Sequence, residues 1–190
     1  MSRPGHRTRS CSLLAALGLA LAWPLTGHAE CGLATPDYAA ERIVDVSGNV
    51  SRMRVHVSGG KTREETDLGQ GVRVTIRDPE QGRTVVFDPA TAQGTALPGP
   101  HGGRLPSRHQ DEATPEGGRT RTLQVERAGR WLDLSRTTCR MDGIMVRQSF
   151  VSLDPAGHEV SGTVMQTQIQ VAPQLPSLFE LPSGLRLSSP

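Results

Sequence analysis

Hydrophobic and polar positions alternate with a period of two through much of the chain. Met53, Val55 and Val57 share one parity and Arg52, Arg54 and His56 take the other. Val72, Val74 and Ile76 alternate in the same way with Arg73, Thr75 and Arg77, and Val85 and Phe87 share a face between Arg83 and Asp88. A strand sends successive side chains to opposite faces, so these runs predict half-buried β-strands. Ser47-Gly48-Asn49, Ser58-Gly59-Gly60 and Leu68-Gly69-Gln70-Gly71 separate them, and Asp78-Pro79 and Asp88-Pro89 close the next two. Such dipeptides favour turns, and short loops between sequential strands predict an antiparallel meander.

Thr91 to Leu97 can form a further strand. Residues 98–118 then interrupt the pattern with four prolines and five glycines, and read as a flexible Pro/Gly-rich insert. Strands resume at Arg119, with a turn at Ala128-Gly129 and the strongest short hairpin signal at Asp142-Gly143. Alternation continues through Ile144–Leu153 and Val160–Val171. A short turn around Ser177 to Glu180 is the best helical candidate. The expectation is a mainly β protein of about nine to eleven strands. A meander of that size closes into a barrel or leaves an open, curved one, and few large apolar side chains are present to fill it.

The first thirty residues read as an export signal. Arg3, Arg7 and Arg9 precede an apolar run from Cys11 to Trp23, and Gly27-His28-Ala29 offers small residues at the cleavage positions, so residues 1–29 are read as a signal peptide. The run is too short for a bilayer span, which needs about 20 apolar residues. Glu30 before Cys31 argues against a lipid anchor on that cysteine. Residues 30–190 then form one domain, and the expected location is the bacterial periplasm. Losing Arg3, Arg7 and Arg9 from 21 basic residues leaves 18 against 19 acidic ones, a net charge of −1, which removes the argument for nucleic acid. Two cysteines are left, Cys31 and Cys139. In an exported chain an even count favours a disulfide over two buried thiols or a bond to a partner. Closing such a loop contributes at most about 4–5 kcal/mol.

The order of elements resembles the periplasmic lipoprotein-carrier (LolA/LolB) superfamily. The pieces that carry the resemblance are Tyr38-Ala39-Ala40, Val57-Ser58-Gly59-Gly60-Lys61-Thr62-Arg63-Glu64, Val74-Thr75-Ile76-Arg77, Val85-Val86-Phe87-Asp88-Pro89, Arg130-Trp131-Leu132-Asp133 and Leu178-Phe179-Glu180-Leu181-Pro182-Ser183-Gly184. It spans about residues 38–186 and points to an uncharacterised branch. The resemblance implies an incomplete, strongly curved antiparallel barrel over an apolar cavity that takes acyl chains of lipoproteins or other lipids, without cofactor or covalent chemistry. It also implies a structural or cavity-rim role for Arg63. The lid helices of the carriers are hard to find in this chain.

Candidate chemistry is sparse. Gly59-Gly60-Lys61-Thr62 ends like a phosphate-binding loop but has Val55 where that motif needs glycine. His101, His109, Asp111 and Glu112 match no metal-ligand spacing. Ser107 and His109 lack a nucleophile elbow, and Cys31 and Cys139 are not a C-x-x-C pair. No acid/base constellation is visible, so the chain reads as non-catalytic, with no metal and no cofactor. Arg52, Arg54, Arg73 and Arg77 lie on polar strand faces, an ordinary solvated pattern or a site for phosphorylated headgroups. The expectation is a periplasmic protein that holds an acyl chain, lipid or lipoprotein in an apolar concavity lined by Val55, Val57, Val74, Ile76, Val85 and Phe87. The alternative is an interaction or envelope-stress sensing module with a filled core, whose edge strands or 98–118 segment bind an envelope protein.

Overall fold

The computed structural model describes residue 31 and residues 34–97, 106–153 and 157–188. The expected leader, residues 1–29, lies outside the described residues. Twelve strands form one sheet: β1 Tyr38–Val46, β2 Asn49–Ser58, β3 Lys61–Asp67, β4 Val72–Asp78, β5 Arg83–Asp88, β6 Gln93–Leu97, β7 Ser107–Ala113, β8 Arg119–Arg127, β9 Arg130–Cys139, β10 Met145–Leu153, β11 Glu159–Val171 and β12 Arg186–Ser188. A four-residue 3₁₀ turn, Pro176–Phe179, precedes β12.

The order across the sheet is β12-β6-β5-β4-β3-β2-β1-β11-β10-β9-β8-β7. The first six strands step outward from β1, and the next five step back inward from β7 until β11 lies against β1. All pairs are antiparallel except β12 on β6. The sheet is curved and does not close, so the expected open β-barrel is the architecture found.

Local chemistry explains the meander. Ser47-Gly48, Gly59-Gly60 and Ala128-Gly129 all take positive φ at both central positions, the geometry that matches the twist of two strands joined by two residues. Curvature comes from bulges. In β11, Gln168 has φ 52° and the pairing with β1 slips between Ala39 and Glu41. The extra residue reverses parity, so Ile169 returns to the face of Val164 and Gln166 and packs beside Tyr38, Ala40, Val55 and Val57. A second slip, between Met145 and Arg147, keeps Met145 and Gln148 on one face of β10. Two phenylalanines cross glycines: Phe150 pairs with Gly162 and Phe87 with Gly94, and a Cβ at either glycine would collide with the ring residue.

The span 98–118, expected as a structureless insert, carries an edge strand instead. Residues 107–113 form β7 and pair with β8 along their whole length, and Thr114 to Gly118 makes the hairpin turn. Every residue of β7 is exposed. The strand buries no apolar side, so no alternation marks it. Backbone bonds to β8 and a two-pronged ion pair from Arg121 to Asp111, at 2.8 and 2.9 Å, hold it.

Candidate functional site

Strand pairing sorts the apolar residues onto two faces. Val55 pairs with Glu64, and Glu64 with Thr75. Val74 and Ile76 pair instead with Glu65 and Arg63 and with Phe87 and Val85. Directly paired residues point to the same side of an antiparallel sheet. Val55 and Val57 therefore lie on one face, and Val74, Ile76, Val85 and Phe87 on the other. The expected single lining of six residues is two separate groups.

On the Val55 face, Val55 and Val57 pack with Tyr38, Ala40 and Ile144, all buried. Ile144 comes from the turn between β9 and β10, whose backbone is closed by bonds from Arg140 and Gly143. A second cluster on this face joins Cys31, Val44, Cys139, Met145, Phe150 and Val164. Cys31 and Cys139 form a disulfide across 108 residues, with Cα atoms 6.1 Å apart. Ordered side chains thus fill this face.

The same face holds a buried charge cluster. Glu64 accepts from Arg42, two strands away on β1, and from Arg77 on β4, whose Nη1 lies 2.7 Å from the carboxylate. Burial alone would raise the Glu64 carboxyl, but the two guanidiniums overcome it and hold the group below the usual carboxylate range. Gln166, paired with Arg42 on the neighbouring strand, donates to the Met145 carbonyl at 3.0 Å. Sequence reading missed this cluster. The available signal was Glu64 in β3, a strand without any apolar residue, at the position directly opposite Val55. The arginines read on polar strand faces lie on both sides of the sheet: Arg73 and Arg77 share the Glu64 face, whereas Arg54 pairs with Glu65 on the other.

On the Val74 face the four apolar residues come together. Val74, Ile76, Val85 and Phe87 are each 4 % exposed or less and form one cluster. Their cover is neither sheet nor helix. It is the irregular chain after β11, which contributes Leu181 and Leu185, both only partly buried. The strap is tied at its start by the Ala172 N–H, which donates to the Asp37 carbonyl at 3.1 Å, at its end by the pairing of β12 with β6, and between them by side-chain and backbone bonds. His56 Nδ1 meets Gln174 Oε1 at 2.9 Å, Arg63 donates from Nη1 to the Leu178 carbonyl at 3.0 Å, and the Arg186 N–H donates to the Ala92 carbonyl at 3.0 Å. Arg63 also donates to Glu65 at 2.7 Å. It therefore stands at the margin of the apolar strip and ties the 3₁₀ turn to β3. Leu175 and Leu187 of the strap face solvent.

Open depressions of about 540 Å³ border the sheet at two further places. One is lined by Asp45, Ser149, Phe150 and Thr163, the other by Leu68, Val72, Arg73, Phe87 and Gly94. Phe87 links the second to the apolar strip. His109, Asp111 and Glu112 fall on exposed β7, while His101 lies outside the described residues. Among the described residues no group of three or more His, Cys, Asp or Glu gathers for a metal, and no helix is long and apolar enough to cross a membrane.

The class defined by this geometry is an open, strongly curved, mainly antiparallel sheet whose apolar strip is strapped by its own C-terminal segment. Solved structures are similar to the chain in fold. An uncharacterised conserved protein from Thermus thermophilus matches with a TM-score of 0.51 at 14% identity, over 82% of this chain and 91% of that one. A LolA superfamily protein from Nitrosomonas europaea matches with a TM-score of 0.41 at 8% identity, over 81% and 93%. An outer membrane lipoprotein-sorting protein domain from Vibrio parahaemolyticus matches with a TM-score of 0.35 at 11% identity, over 74% and 87%. No family model and no curated protein sequence matches the chain. At these identities the likeness concerns the fold.

Proposed function

We propose that this is a non-catalytic periplasmic protein that holds an acyl chain, of a lipid or lipoprotein, on the strip formed by Val74, Ile76, Val85 and Phe87. The observation that carries the reading is the mismatch between that strip and its cover. Four apolar side chains are roofed by two partly buried leucines on irregular chain, which is held by a few hydrogen bonds and by the three-residue pairing of β12. Displacing Leu181 and Leu185 exposes a continuous apolar surface, and an acyl chain replaces their contacts. Burial contributes about 0.8 kcal/mol per methylene, so a long chain binds usefully and reversibly. The filled Val55 face is the scaffold in this reading, not the site.

A filled core also favours a second reading, a periplasmic interaction or stress-sensing module. Its observation is the packing of Val55 and Val57 under Ile144, together with a fully exposed edge at β7. Native mass spectrometry of protein purified from the periplasm without detergent separates the two, when followed by lipid extraction and uptake of a fluorescent fatty acid. The carrier reading expects a discrete added mass that extracts as lipid. A clean chain mass with no uptake of the probe overturns it in favour of the interaction module.

A further inference from the structure

The β7 edge of the sheet carries a pattern that suits one partner, a second copy of this chain. β7 ends the strand order, so its outer edge is unpaired among the described residues. Which backbone groups it offers follows from its bonds to β8. The Thr114 N–H donates to the Gly118 carbonyl, and the Glu126 N–H to the Pro106 carbonyl. With the register Arg108↔Gln124, Gln110↔Thr122 and Glu112↔Thr120, the even positions turn their backbone inward to β8. Ser107, His109, Asp111 and Ala113 then direct their N–H and C=O groups outward.

Side chains add a register. The strand reads Ser-Arg-His-Gln-Asp-Glu-Ala, centred on Gln110. Set two copies antiparallel about that residue. Arg108 then faces Glu112, His109 faces Asp111, and Gln110 faces its own copy, each pairing occurring twice. Opposite charges directly across an antiparallel pair stabilise it, and like charges destabilise it. Centring the pair one residue later puts Asp111 against Asp111, and an in-register parallel arrangement puts every charge against itself. The matching register is also the one in which the outward-facing pairs Ser107–Ala113 and His109–Asp111 exchange backbone bonds. The groups involved are within reach of solvent: every β7 residue is exposed, and the Asp111 and Glu112 side chains are 38% and 53% exposed even with their bridges to Arg121 and Arg136.

We propose that β7 is a self-pairing edge, through which two copies join their sheets antiparallel about Gln110 into one continuous sheet. The two-fold axis passes between the Gln110 residues, so the contact is isologous and closes as a dimer. A charged edge of this kind resists indiscriminate strand addition while admitting a partner of matching sequence. A single strand pair is a small interface, so the dimer is weak and concentration-dependent.

Sedimentation equilibrium of the protein expressed with its leader and purified from the periplasm tests this, with circular dichroism to check each fold. The unaltered protein is expected to show a monomer–dimer equilibrium. His109→Pro removes an outward N–H without touching the β8 ladder, and is expected to leave a folded monomer. Glu112→Arg sets Arg against Arg and is expected to weaken the dimer by about tenfold or more, and Arg108→Glu in the same chain is expected to restore it by swapping both charges. A protein that stays monomeric at the highest concentration reached overturns the proposal. So does a dimer that His109→Pro leaves intact, or one that the charge swap fails to restore.

Discussion

Two apolar clusters of similar size sit on opposite faces of this sheet, on either side of β3, and their covers differ. The Val55 cluster is closed by Ile144 from a hydrogen-bonded turn, and the neighbouring cluster by a disulfide. The Val74 cluster is closed by Leu181 and Leu185 on a strap that ends in a strand of three residues, all exposed. Burial is alike in the two, but the cost of uncovering is not. Opening the first means breaking turns or a covalent bond, while opening the second means releasing part-buried side-chain hydrogen bonds, two leucines and the three-residue pairing of β12. Local opening draws on segments with few buried contacts and exposed hydrogen bonds. None of residues 172–188 is fully buried, whereas Ile144 is.

The largest effect that would break this contrast is on the scaffold side. Glu64→Ala leaves the half-buried Arg42 and Arg77 without this carboxylate, a loss of at most about 3–5 kcal/mol. Unfolding in urea should show the whole domain destabilised. The same carboxyl sets a pH dependence. Its folded pKa is depressed, so its contribution is complete above the unfolded value of about 4.3 and fades as pH falls through the folded one. Asp78, desolvated but held low by the Gln81 N–H and Lys61, and Asp111, held low by Arg121, act in the same direction. The urea midpoint should fall on acidification below about pH 4.5, less steeply in Glu64→Gln than in the unaltered chain.

Next in size is the disulfide. Replacing Cys31 and Cys139 by serine should cost about 2–4 kcal/mol and loosen the Val55 face, leaving the Val74 strip as protected from hydrogen exchange as before. The strap should show the reverse behaviour. Arg63→Ala removes the bond to Leu178, with an expected loss of about 1–2 kcal/mol. Its signature is faster amide exchange confined to residues 173–188. Exchange that rises equally over β1 and β2 would remove the distinction between the two covers. A comparable effect is expected from Leu181→Ser with Leu185→Ser: a modest fall in stability, about 1–2 kcal/mol, with weaker retention of any ligand that needs the strap to re-close.

The sequence made most strands readable, because β2, β4 and β5 each bury one parity and are bounded by Gly, Asn or Asp-Pro turns. The short turn expected around Ser177 to Glu180 is the 3₁₀ turn Pro176–Phe179. Two things were not legible, for definite reasons. β7 buries nothing, so hydrophobic alternation gives no trace of it. The relative facing of Val55 and Val74 was hidden by β3, Lys-Thr-Arg-Glu-Glu-Thr-Asp, which lies between their strands without one apolar residue. Parity assigns faces within a strand, but only an apolar residue in the intervening strand carries that assignment to the next. With β3 silent, one lining of six residues and two linings on opposite faces look the same in sequence. The buried Glu64 cluster was hidden by the same strand, since a glutamate between charged neighbours reads as solvated.

Photo-crosslinking with a diazirine-bearing fatty acid, mapped by peptide mass spectrometry, tests the central claim most directly. If the strip under the strap is the acyl site, adducts fall on residues 72–88 and 181–185 and disappear in competition with unlabelled fatty acid. Competed adducts on residues 38–58 or at Ile144, or no competed adducts at all, would contradict it.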